Sequence, residues 1–209
     1  PLLCHVRDHV NANPVAGQAV RTRTFWMLVA SLSLVEMSRN GIGIHMIAHM
    51  TEQGMSPAFA AVSFSIAGVT MVPMSIGLGL FVDKAGARVA YGLATLSVLA
   101  MGVLVIFADS NIMAVPIGIT MGMGSGGVDM IMRVIFANYF GRASAGTVMG
   151  IVTPFIVVSL GLGALISGVL YDIQGSYVAV FWAWTAITAL AIVILVLVPN
   201  LRGQAGTAS

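Results

Sequence analysis

Apolar residues run through this chain in long stretches, each about the length of a membrane crossing, and short polar breaks separate them. A helix needs roughly 20 mostly apolar residues to cross the hydrocarbon core of a bilayer. That criterion predicts six transmembrane helices, at about 25–50, 57–82, 89–108, 112–139, 146–171 and 177–198. The fourth is longer than a crossing requires and is expected to tilt or to emerge along the membrane surface.

Composition makes lipid the solvent. Of 209 residues, 58% are hydrophobic and only 8% charged, against about 25% charged in an ordinary soluble domain. So few charges cannot clothe a water-soluble fold of this size. The formal net charge of +2 does not signal a nucleic-acid partner, because the Lys and Arg residues are scattered singly. The lone cysteine, Cys4, excludes an internal disulfide. Residue 1 is proline, and the polar, mixed segment before residue 25 shows no signal-peptide pattern. The chain is therefore expected to be a fragment or a processed product.

The cations set the expected orientation. Arg7, Arg21 and Arg23 precede span 1, Lys84 and Arg88 follow span 2, Arg142 follows span 4 and Arg202 follows span 6. The loops after spans 1, 3 and 5 carry Glu52, Asp109 and Asp172 and contain no Lys or Arg. Both ends of a multi-pass plasma (inner) membrane protein would then be cytoplasmic.

An internal repeat appears on superposing two loops. Gly79, Asp83 and Gly86 share their spacing with Gly168, Asp172 and Gly175, at a shift of 89 residues that also lays spans 1–3 on spans 4–6. An odd number of spans separates the copies, so they face opposite sides of the membrane. The expected fold is an all-α integral membrane bundle built as a three-plus-three inverted repeat. Chance is the competing explanation, since Gly and Asp are common at helix ends.

A charge at mid-bilayer costs about 2.5–3.5 kcal/mol on the insertion scale, so each one needs a reason. Only spans 1 and 4 hold such groups: Glu36 and Arg39 with Asn40 beside them, then Asp129 and Arg133. Helical spacing puts each set on one face. One reading has Arg39 or Arg133 attract an anionic substrate while Glu36 or Asp129 carries a proton. The other has two self-neutralising pairs, Glu36–Arg39 and Asp129–Arg133, that only lock packing. His45 and His49 stand one turn apart near the outer end of span 1, but Met46 occupies the place of the Glu in a zinc-protease signature. Vestibule lining or proton transfer at His45 is the expectation; no metal or cofactor is expected. Gly118, Gly122 and Gly126 form a small-residue face suited to close helix contact. Pro73, Pro116 and Pro154 are expected to break spans 2, 4 and 5.

Taken together, several stretches resemble a known family. Gly79-Leu80-Phe81-Val82-Asp83-Lys84-Ala85-Gly86-Ala87-Arg88 resembles the loop motif G-x-x-x-D-[RK]-x-G-x-[RK] of the major facilitator superfamily. Tyr139-Phe140-Gly141-Arg142, with Gly146 and Gly150, resembles the stretch between spans 10 and 11 of that family. Gly163 through Tyr177, with Gly168, Tyr171, Asp172 and Gly175, resembles the end of span 11, and Arg23-Thr24-Phe25-Trp26 resembles the start of span 7. The bacterial monocarboxylate-transporter-like and oxalate/formate-antiporter-like branch looks most similar. Ala164 departs from the pattern, since relatives often carry proline there.

The resemblance implies the C-terminal six-helix half, spans 7–12, of a twelve-helix fold whose N-terminal half is the missing partner. Residues 1–24 would be the cytoplasmic inter-half linker, 25–198 the bundle and 199–209 a cytoplasmic tail. Spans 7 and 10 line the central cavity in that family, which are spans 1 and 4 here. The implied function is secondary transport by alternating access, of a small organic anion such as a monocarboxylate, with possible proton coupling. Gly79, Asp83, Lys84, Gly86 and Arg88 would form a conformational latch, with Gly79 allowing close backbone approach and Asp83 accepting from amides at a helix N-terminus. Gly163 and Gly168 would pack helices. A non-transporting receptor or assembly subunit on the same scaffold is the alternative. An enzyme is not expected, because no acid–base, nucleophile or metal cluster converges.

Overall fold

The computed structural model describes residues 19–141 and 144–198. Those residues form six long helices: α1 (Arg23–Glu52), α2 (Pro57–Ala85), α3 (Ala87–Ile106), α4 (Ala114–Phe140), α5 (Ala145–Gln174) and α6 (Tyr177–Leu197). Cys4, Arg7, Arg142 and Arg202 lie outside the described residues. By length and apolar composition α2, α3, α5 and α6 each suffice to cross a membrane. The other two, α1 and α4, have 30 and 27 residues. They carry the intramembrane charges.

Local chemistry sets the helix ends. The Thr22 hydroxyl accepts from the Phe25 amide at the start of α1, and the Ser56 hydroxyl accepts from the Phe59 amide, with Pro57 at the first position of α2. A 3-10 turn over Asn111–Met113 leads into α4, so the fourth crossing starts slightly later than its apolar run. Pro116 then falls on the third residue of α4, where its missing N–H has no intrahelical partner to lose. Contrary to expectation, it makes no break there. Pro73 and Pro154 do lie inside α2 and α5, both of which continue past them.

The two halves of the chain pack alike. α1 lies against α5 and α6, α4 lies against α2 and α3, and α3 meets α6. Exchanging α1–α3 with α4–α6 maps this set of neighbours onto itself. The matching loops share a positive-φ glycine and its hydrogen bond, although ψ differs, 152° at Gly86 and 13° at Gly175. Gly86 (φ 88°) and Gly175 (φ 67°) end α2 and α5 with positive φ. The Gly86 amide donates to the Val82 carbonyl at 2.8 Å and the Gly175 amide to the Tyr171 carbonyl at 2.7 Å. Both donors and both acceptors are related by the 89-residue shift. The bundle is a three-plus-three repeat.

Two apolar clusters fill the interior. One gathers Phe25, Leu32, Tyr91, Ile131 and Phe136; the other gathers Met46, Met101, Ile117, Phe181 and Trp184. Glu36, Arg39, Asn40 and Gly41 fall between them along α1. The α2–α4 seam is held close by glycine. A Cβ on Gly118 would stand 2.7 Å from the Ser63 carbonyl oxygen, and one on Gly122 2.6 Å from that of Ala67. Gly126 faces the Met71 carbonyl in the same way. Three glycines four residues apart thus meet three carbonyls four residues apart, a contact that any side chain would force open.

Candidate functional site

The polar level of α1 begins with a pair inside one turn. Arg39 Nη2 lies 2.5 Å and Arg39 Nε 3.2 Å from Glu36 Oε2. The Glu36 side chain is 2% exposed and that of Arg39 22%, so the carboxylate is buried behind its guanidinium. The same guanidinium reaches α4: Nη1 donates to the Ser125 hydroxyl at 3.2 Å, and Nη2 stands 3.7 Å from Asp129 Oδ1. Asp129 is far more open, with 47% of its side chain exposed. Two carboxylates therefore surround one guanidinium, and the cluster carries a formal charge of −1 when both are ionised.

Of the two self-neutralising pairs in the packing reading, Asp129–Arg133 on α4 does not form among the described residues. Arg133 is exposed and makes no ion pair among the described residues. Asn40, expected beside the charges, turns to another neighbour: its Nδ2 donates to the Leu160 carbonyl of α5 at 2.6 Å. Its amide ties two helices.

His45 sits between the Ala164 carbonyl, 3.2 Å from Nε2, and the Tyr177 hydroxyl, 3.2 Å from Nδ1. A carbonyl only accepts, so Nε2 carries the proton and in the neutral ring Nδ1 accepts from Tyr177. The imidazole also stacks on Tyr177 at 5.3 Å. Tyr177 stacks in turn on Tyr171, 4.1 Å away, whose hydroxyl donates to Glu52 Oε1 at 3.0 Å. His49 is buried edge-on against Phe181. The two histidines of the pair are thus each engaged with aromatic neighbours.

The loop after α2 looks different from its sequence reading. Asp83 and Lys84 are exposed on the last turn of α2. Arg88 donates to the Val196 carbonyl of α6 at 2.5 Å, not to a carboxylate. Gly79 lies under the tip of the Met130 side chain, 2.8 Å from where a Cβ would stand, rather than against another backbone. Gly168 has room for a Cβ, its nearest neighbour being His45 Cε1 at 3.9 Å. Gly163, by contrast, abuts the Met37 carbonyl, and beside it the Trp184 indole donates to Ser167, which donates to the Gly41 carbonyl.

Sequence reading passed over Ser125 and Trp184, and it quoted Tyr171 and Tyr177 only within a family stretch, without a role. Ser125 alone had a local signal, standing one helical turn before Asp129 within the glycine run.

Six packed helices, four of them long and apolar enough to cross a membrane and the other two joined by a charge cluster, define a multi-pass membrane protein. Residues 13–208 match the Major Facilitator Superfamily, and the chain belongs to it. It is a membrane transporter, of a superfamily whose members bind small-molecule substrates within the membrane. No curated protein matches the chain.

Proposed function

We propose that this chain is the C-terminal half of a proton-coupled transporter for a small organic anion, of the monocarboxylate or oxalate/formate kind. Partnered by an N-terminal six-helix half, it works by alternating access in the plasma membrane with both termini cytoplasmic. The observation that carries the reading is the ratio of two carboxylates to one guanidinium at the Glu36–Arg39–Asp129 cluster. A substrate carboxylate arriving at Arg39 meets a site that is already over-neutralised. A charge pair at about 4 Å is worth roughly 1 kcal/mol in water and about 4 kcal/mol near a protein surface, so the anion must displace an interaction of that size. Protonating Asp129 removes it. Asp129 is the better carrier than Glu36 because it faces open space and sits at 3.7 Å, where Glu36 is enclosed at 2.5 Å. Anion and proton then enter together as a neutral load. The Gly79–Arg88 loop latches one conformation, and its exposed Asp83 and Lys84 are free to meet the partner half.

Uptake of labelled monocarboxylates by the twelve-span protein containing this chain, reconstituted in liposomes, tests this. An inward proton gradient should drive accumulation, and Arg39→Ala should abolish it. Normal flux and affinity in that variant would refute the anion role. A second reading is favoured by the formal charge of −1: an organic cation held by Asp129. It predicts uptake driven by an outward proton gradient and retained competition by amines. Saturable ligand binding without flux in either gradient would point instead to a receptor or assembly subunit.

A further inference from the structure

At the end of the bundle where α1 starts and α6 ends, a groove of about 500 Å³ opens between these two helices. Arg21 and Arg23 stand at its mouth, and Met27, Ala30 and Ile194 form its floor. Trp26 makes one wall. Its indole is held in place: Nε1 donates to the Val20 carbonyl at 2.8 Å, and the ring meets Phe25 and Phe155 edge-on at 5.4 and 5.7 Å. Both arginines are exposed, and neither has an ion-pair or hydrogen-bond partner among the described residues. Arg88, which lies at the same end, is already engaged by Val196.

Two unpaired cations above an apolar floor suit a ligand that is anionic at one end and hydrocarbon along the rest. The depth agrees, because an indole beside arginines marks the level of the lipid headgroups. The groove opens among mostly exposed residues, and none of Glu36, Arg39 and Asp129 lines it. We propose that it binds one anionic phospholipid, with the phosphate between Arg21 and Arg23 and an acyl chain along Met27, Ala30 and Ile194. Trp26 packs against the glycerol region. A soluble phosphate ester would use the mouth and leave the floor empty; the apolar floor favours the lipid.

Native mass spectrometry of the delipidated full chain, titrated with phosphatidylglycerol or phosphatidylcholine, tests the assignment. The wild type should retain one phosphatidylglycerol in preference to phosphatidylcholine. Arg21→Gln with Arg23→Gln should reduce that preference about thirtyfold, as two cations near an anionic headgroup imply. Ala30→Phe fills the floor without altering charge and should also expel the lipid. All three positions are exposed, and circular dichroism checks that the variants remain helical. Unchanged phosphatidylglycerol retention in either variant would overturn the proposal. So would displacement of the lipid by equimolar glycerol phosphate, which would make the mouth a simple anion site.

Discussion

Asp129 on α4 faces Arg39 on α1 at 3.7 Å and leaves Arg133, its neighbour one turn along its own helix, without an ion-pair partner among the described residues. This contact couples the two charged helices. Asp129→Asn keeps the shape and removes the competing charge. If the proposed anion transport holds, it should raise anion affinity at neutral pH and flatten the pH dependence of uptake, read as KM against external pH. Arg133→Gln should leave KM within about twofold, since an exposed unpaired cation contributes little. A steep pH dependence surviving in Asp129→Asn would exclude that carboxylate as the proton carrier.

Glu36 is the partner that keeps Arg39 tolerable inside the bundle. Glu36→Gln leaves a guanidinium held only by Ser125 and Asp129, and breaking such a pair from one side costs about 3 kcal/mol. Thermal unfolding in detergent should show a clear drop in Tm. Adding Arg39→Met should recover most of it, because the stranded charge goes too. A double variant no more stable than the single one would mean that the pair contributes through shape rather than charge.

Neighbouring glycines on α5 separate packing from helix propensity. Gly163 is pressed onto the Met37 backbone, whereas Gly161 has nothing within 4 Å of a Cβ. Gly163→Ala should destabilise by about 1–3 kcal/mol, the usual cost of overpacking. Gly161→Ala should be neutral or stabilising by about 0.5 kcal/mol. Equal melting temperatures for the two variants would show that α1 and α5 can part without cost.

The paired caps separate two positive-φ conformations. Gly86→Ala and Gly175→Ala each force an L-residue into positive φ, at about 1–3 kcal/mol. Gly175 is left-handed helical (ψ 13°), where Asn should cost less than Ala. Gly86 (ψ 152°) lies in a region almost confined to glycine, so its loss should be the larger and Asn should bring no relief, measured by denaturant midpoint. Equal losses in the two loops would mean that the difference in ψ carries no cost.

The six helices were legible in the sequence because lipid imposes a rule on each segment separately. Every span must satisfy its own backbone and present apolar side chains, so length and composition along the chain suffice to find it. The caps at Gly86 and Gly175 were legible as a spacing for a similar reason: a helix stop is a local event. Helical periodicity likewise places Glu36, Arg39 and Asn40 on one face of α1.

Partner choice is not local, and only the tertiary structure decided it. Arg39 reaches Ser125 and Asp129, 86 and 90 positions away, while Asn40 turns to Leu160 on α5. Those assignments depend on how far α1 is rotated and how closely its neighbours approach. Gly163 and the α2–α4 glycine seam set that approach through backbone contacts. Pro116 teaches the same lesson on a smaller scale, since its effect depended on where the first turn of α4 fell. Charge type and spacing were written in the chain; which charges would compete for one guanidinium was settled by packing.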